Sequence, residues 1–162
     1  MERVAAAGLP GFKQEQLFFH VHAHLDVFVD GQSVEVPPGI GIGGDPKVRY
    51  FVSQGQPVVG APASPCSRPC VSPLHTHDGS GVLHVENDKE RQIDLGQVFT
   101  EWGVRFTAEC VGGYCAPDKP HKVYVDGKEY TGDASGIVLK NLEEIALVIG
   151  TPPAKIPDKF GA

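Results

Sequence analysis

The clearest pattern in the chain is an alternation near its start. In residues 17–29 the apolar Phe19, Val21, Ala23, Leu25 and Val27 alternate with His20, His22, His24 and Asp26. A period of two puts the apolar set on one face and the imidazoles on the other, which predicts a long half-buried strand. Asp30-Gly31 is a hairpin-turn pair, and residues 32–36 predict the returning strand, stopped by Pro37-Pro38. Residues 39–44 are a glycine-rich loop with neither a following Gly-Lys-Ser/Thr nor the G-x-G-x-x-G spacing, so they carry no phosphate-loop signal. Residues 47–52 predict another strand, and residues 54–73, with five prolines, a long loop.

The alternation returns in residues 74–87. With Asp78 to Gly81 as a four-residue hairpin loop, His77 opposes Val82 and His75 opposes His84. His75, His77 and His84 then form a triangle on one face, continued by Glu86, while Leu83 and Val85 point into the core. A slip of one residue would break this register. Residues 94–103 switch to helical spacing: Leu95, Val98, Phe99 and Trp102 share a face, Asp94 and Gln97 have capping-box spacing, and Gly103 fits the C-terminal stop. Trp102 reads as a core residue. Residues 122–125 predict a strand turned by Asp126-Gly127, repeating the Val-Asp-Gly of the first hairpin. Residues 137–139 and 145–149 predict two more buried strands, and the proline-containing tail from Thr151 is extended. The sum is about eight strands and one short helix. That is a mainly β chain with a single sandwich or partly open barrel over residues 17–153, between an N-terminal extension (1–16) and a C-terminal tail (154–162).

Composition sharpens this. With 20 Gly and 14 Pro in 162 residues, a helical bundle is excluded. The net charge of −6 and the lack of a basic stripe argue against nucleic acid or an anionic membrane surface as partner. No apolar run approaches the ~18 residues of a membrane span. Residues 1–8 lack a signal-peptide pattern, and a mature form carrying an added Met is the expectation. Cys66 and Cys70, and Cys110 and Cys115, form two close pairs in turn-rich segments. Two disulfides, most simply within each pair, and an extracytoplasmic home are expected. The rival is a four-thiolate zinc site, though C-x2-C spacing is absent; sequence alone leaves three disulfide connectivities open.

Six of the seven histidines fall in the two alternating blocks. Imidazoles with Asp or Glu oxygens suit divalent transition metals, with copper and zinc ahead of iron and nickel. Same-face residues on one strand lie about 6.5–7 Å apart. Two of His20, His22 and His24 can therefore lean onto one ion, with a partner strand supplying the rest. The expected site is one contiguous face carrying His20, His22, His24, His75, His77 and His84, with one main ion. His121, alone after Pro120, reads as a surface residue. No methionine beyond Met1 exists for a Met-rich Cu(I) carrier or a blue-copper axial ligand. There is no nucleophile elbow and no marked pair of catalytic carboxylates.

Taken together, the motifs H-x-H-x-H-L-D-V-F-V-D-G, L-H-T-H-D-x-x-G-x-x-H-V-E and L-G-Q-V-F-x-x-W-G resemble a family of uncharacterised secreted or membrane-anchored bacterial His-rich proteins. The resemblance covers most of residues 17–153. It implies an extracytoplasmic location and supplies no activity. The chain is also similar to cupins in its H-x-H at 75–77, but Gly79, Ser80 and Gly81 occupy the offset where a cupin carries Glu, so a cupin-like barrel is the alternative fold. Two functions follow from the residues. One is capture, buffering or delivery of a divalent transition metal. The other is a small metalloenzyme with an open metal position and Glu86 or Asp78 as general base.

Overall fold

A computed structural model describes residues 1–161. The strands are β1 (Phe19–Val29), β2 (Gln32–Val34), β3 (Arg49–Ser53), β4 (Gln56–Gly60), β5 (Leu74–His75), β6 (Val82–Asn87), β7 (Cys110–Val111), β8 (Tyr114–Cys115), β9 (His121–Val125), β10 (Lys128–Tyr130) and β11 (Glu144–Ile149). Two helices, α1 (Glu2–Ala6) and α2 (Leu95–Trp102), and a 3-10 turn over Ala134–Gly136 complete the described elements. Seven strands make one mixed sheet in the order β10-β9-β11-β1-β6-β5, with β2 also paired to β1; β3–β4 and β7–β8 are separate hairpins. The fold is mainly β, as expected. Among the described residues no barrel closes, so the cupin-like alternative does not hold.

Strand β1 is the spine of the sheet. It pairs antiparallel with β6 along its first half and parallel with β11 along its second. Register dictates which side chains share a face: Ala23 opposes Leu83, Val21 opposes Val85, and Leu25 and Val27 lie beside Ile145 and Leu147. This apolar face packs under α2, Val36, Ile40, Ile93, Ile137 and Leu139 to form the main core. The first residues of the chain take part, since Val4 and Leu9 are buried in the same cluster. A smaller core of Ile42, Val48, Val59 and Val71 surrounds the Cys66–Cys70 disulfide, and Cys110–Cys115 closes the β7–β8 hairpin. The two Val-Asp-Gly segments make alike turns, with Asp30-Gly31 and Asp126-Gly127 all at positive φ.

The helix follows its sequence signals. The Asp94 carboxylate accepts from Gln97 N at 2.9 Å, the Gln97 side chain accepts from Asp94 N at 3.0 Å, and Gly103 stops the helix at φ 79°. Asp94→Ala is expected to cost about 1 kcal/mol. For a chain of this length that is a fall of roughly 2–4 °C in melting temperature; an unchanged thermal melt would remove the cap from the account of this helix. Trp102 is half-buried and stacks on Phe99, whose ring centroid is 5.5 Å away.

Three expectations are corrected. Residues 137–139 form no strand; their backbone makes one isolated bridge, Val138 to Asp94, with the segment entering α2. Ile137 and Leu139 are still buried, which is why the stretch reads as apolar. The segment 54–73 is not all loop: β4 lies in it, behind a Gln54-Gly55 turn with both residues at positive φ. Pro57 hides this strand from sequence reading, and a two-stranded ribbon tolerates it because one side of each strand is unpaired. Finally, the 74–87 hairpin opens earlier than expected. His75 does oppose His84, but Val82 lies opposite His24 of β1 rather than His77. The His77 carbonyl instead accepts from Val59 N of β4 at 2.7 Å.

Candidate metal centre

The face of the sheet opposite the core carries the histidines. Three neighbouring strands place His22, His84 and His75 in one row, because His22 opposes His84 across β1–β6 and His75 opposes His84 across β5–β6. The next row pairs His20 with Glu86. His77, though outside the ladder, turns its ring back, with centroids 4.9 Å from His75 and 4.6 Å from His84. Five of the six predicted histidines therefore converge.

Their donor atoms are close. His22 Nε2 lies 3.0 Å from His20 Nε2 and 3.0 Å from His84 Nδ1. Glu86 Oε1 lies 3.2 Å from His20 Nε2 and 3.3 Å from His84 Nδ1. A tetrahedral zinc site with arms of 2.0–2.1 Å has donor–donor edges of about 3.3 Å, so these four atoms have the spacing of a ligand set.

The deeper half of the cluster is oriented by backbone carbonyls. His75, fully buried, has Nδ1 3.0 Å from the Ser72 carbonyl, and His77 has Nδ1 2.7 Å from the Val59 carbonyl. A carbonyl only accepts, so each Nδ1 carries the proton and donates, leaving the Nε2 lone pair free in the neutral ring. Burial pushes the His75 imidazole down to about 3, which keeps it neutral across the physiological range. Those lone pairs face carboxylates rather than donors. Glu15 Oε1 lies 3.8 Å from His75 Nε2 and 3.5 Å from His77 Nε2, and Glu86 Oε2 lies 3.9 Å from His75 Nε2. His75 Nε2, Glu15 Oε1 and Glu86 Oε2 are all buried without a hydrogen-bond partner. Three acceptors turned toward one another in a buried place are costly on their own. His75 and Glu86 belong with His77 and His84 to a group whose donor atoms lie within 4.8 Å of one another, the spacing a divalent cation needs, and Glu15 lies beside its two imidazoles.

The charges agree with this geometry. Burial works against the Glu86 carboxylate, but the hydrogen bond to His84 and the nearby imidazoles outweigh it and hold its pKa below the ordinary value. Burial, reinforced by Glu86, raises that of Glu15. Burial, then His84 and His20, lowers that of His22, favouring the neutral ligand form.

Glu15 is the residue that sequence reading missed. It sits in a polar stretch, Lys13-Gln14-Glu15-Gln16, with no periodicity to mark it. Its position comes from the disulfide loop: Cys70 N donates to Phe12 O at 2.7 Å and Cys66 N to Lys13 O at 2.8 Å, which carries the following residues across the histidine face.

His24 stands apart. It sits beside β11, where Glu144 is its register partner. Its Nδ1 lies 2.9 Å from Glu144 Oε2 and its Nε2 2.7 Å from the Ser80 carbonyl. The Ser80 carbonyl takes the Nε2–H, and Nδ1 shares a proton with the Glu144 carboxyl, whose own pKa is raised by burial. Burial opposes a charge on the His24 ring, but the Glu144 hydrogen bond and charge, the Ser80 carbonyl and Asp26 together raise its pKa. His24, Asp26 and Glu144 lie within metal-binding distance of one another, yet both His24 ring nitrogens are already hydrogen-bonded, Nδ1 with Glu144 and Nε2 with the Ser80 carbonyl. The third imidazole on β1 is one strand repeat too far along to join His20 and His22. His121 lies on β9 against Phe106, outside the cluster.

Comparison with known proteins gives no matching family model, no matching curated protein and no matching solved structure. The functional reading therefore stands on the site itself. Among the described residues no helix is long and apolar enough to cross a membrane.

Proposed function

We propose that this protein binds a divalent transition metal, copper or zinc, through its strand-borne histidines, and that it captures, buffers or delivers the ion outside the cytoplasm. The observation that carries the proposal is the group His75, His77, His84 and Glu86, whose donor atoms lie within 4.8 Å of one another and of which His75 Nε2 and Glu86 Oε2 are buried with no hydrogen-bond partner. Nitrogen and carboxylate donors without thiolate favour Cu²⁺ and Zn²⁺ among available ions. All four cysteines are engaged in disulfides, which removes the rival thiolate zinc site and supports an oxidising compartment. A second reading, a small metalloenzyme, is favoured by one feature: the His20 side chain is 41% exposed, so one side of the cluster faces solvent, where a water or substrate could complete the coordination.

The test is metal content after purification without a metal-affinity step, followed by reloading with Cu²⁺ or Zn²⁺ and X-ray absorption at the metal edge. Stoichiometric metal with nitrogen and oxygen scatterers at about 2.0–2.1 Å is expected for zinc. Protein that retains neither ion at micromolar concentrations would sink the proposal. Transfer of the ion to a chromogenic chelator, without turnover of ester or peptide substrates, separates carrier from enzyme.

A further inference from the structure

Apart from the His24, Asp26 and Glu144 group, the donors that lie within 4.8 Å of one another fall into two groups, one containing His20 and His22 and the other His75 and His77; both include His84 and Glu86. We infer that the cluster is a two-metal centre, with Glu86 bridging the ions through its two oxygens. This rests on the metal-binding reading above and specifies its stoichiometry and architecture.

The Glu86 carboxylate divides its oxygens between the groups. Oε1 lies 3.2 Å from His20 Nε2 and 3.3 Å from His84 Nδ1. Oε2 points the other way, 3.9 Å from His75 Nε2, and has no hydrogen-bond partner of its own. The first ion is held by His20 Nε2, His22 Nε2, His84 Nδ1 and Glu86 Oε1. The second is held by His75 Nε2, His77 Nε2 and Glu86 Oε2, with Glu15 Oε1 3.8 and 3.5 Å from the two imidazoles. With His84, which belongs to both groups, given to the first ion, no donor atom is used twice. One ion cannot take them all, because zinc and copper sites with such ligands hold four or five donors. A carboxylate spanning two ions holds them about 3.5–4 Å apart, the spacing of two-metal centres.

The two halves differ in ways that predict an order of filling. The His75 imidazole is completely buried, and both His75 and His77 are fixed by backbone carbonyls, so this half is preorganised and desolvated. It fills first. In the outer half, His20 is exposed and its ring nitrogen has only His22 and Glu86 as neighbours. That ion binds second, exchanges faster, and leaves the solvent-facing side of the pair for a bridging or terminal water.

The experiment is a Cu²⁺ titration of chelator-treated, full-length protein, followed by calorimetry and electron paramagnetic resonance. Two equivalents are expected. The first gives a mononuclear Cu²⁺ signal, and the second diminishes it as the two ions couple through the carboxylate. His20→Ala, at an exposed position, should weaken the second equivalent by at least about tenfold while the first keeps its affinity and its signal grows undiminished to saturation. Glu86→Gln should uncouple any pair that still forms; circular dichroism of both variants checks that they fold. Saturation at a single equivalent, or two equivalents with additive uncoupled signals, overturns the two-metal centre and leaves the metal-binding proposal standing. Failure to bind even one equivalent overturns both.

Discussion

Zinc at a thousandfold excess over its dissociation constant is expected to stabilise the native state by about 4 kcal/mol. For a chain of this length that raises the melting temperature by roughly 8–16 °C over chelator-treated protein. The linkage is general for a ligand that binds only the folded state, but here the source is specific. Without a cation, His75 Nε2 and the Glu15 and Glu86 oxygens beside it are buried with no hydrogen-bond partner; in the unfolded chain all three are hydrated. The ion converts that unpartnered arrangement into coordination, and the ligands come from β1, β5, β6, the loop after β5 and the N-terminal segment, so it also ties together parts distant in sequence. His77→Ala, which removes one ligand and its hydrogen bond to the Val59 carbonyl without opening the main core, should reduce the metal-dependent shift while costing the metal-free protein only about 1 kcal/mol. Differential scanning calorimetry with and without metal decides it, and identical melting temperatures would remove the metal from the account of this fold.

Glu101→Gln is expected to stabilise the protein by about 3 kcal/mol at pH 8 and to have little effect near pH 4. Glu101 lies on α2 but is 4% exposed, and burial pushes its carboxyl up from 4.5 to about 7, partly offset by Ser72 Oγ, which donates to Oε1 at 2.6 Å. Its Oε2 has no partner. The surroundings cannot open easily: a Cβ at Gly41 would lie 2.7 Å from that oxygen and 2.1 Å from the Leu74 carbonyl, and Gly41 sits at φ +73°. A carboxyl whose pKa is raised on folding favours the native state fully while it is protonated in both states, below 4.5. That contribution is lost as pH rises through the window from 4.5 to about 7. Glutamine keeps an acceptor for Ser72 and never ionises. Denaturant unfolding of both proteins across pH 4–8 should give curves that meet at the acid end and separate toward neutrality; parallel curves would place the Glu101 charge elsewhere.

Much of the local structure was legible because short-range chemistry specifies it. Alternation along residues 19–27 identified β1 and both of its faces, and the Asp94, Gln97 and Gly103 triplet set both ends of α2. The opposition of His75 to His84 followed from alternation together with a hairpin loop placed at residues 78–81. Spacing within the two cysteine pairs matched the disulfides that form. In each case the interacting residues are close in the chain, or the period of the backbone ties them to one face.

The composition of the candidate metal centre was decided at longer range. Which strand lies beside which is a matter of tertiary packing, and that pairing determines the partners of each imidazole. Strand β6 on one side of β1 gives His20 and His22 the neighbours His84 and Glu86. Strand β11 on the other side gives His24 a carboxyl partner that engages its ring away from the cluster. Glu15 enters only because the Cys66–Cys70 loop holds the N-terminal segment against the histidine face. The sequence by itself determined that imidazoles line one face of a β-sheet, since a two-residue period needs no knowledge of neighbours. Only the tertiary structure decided which of them keep a free lone pair pointing inward, because that depends on the acceptor each ring meets across a strand boundary or a loop.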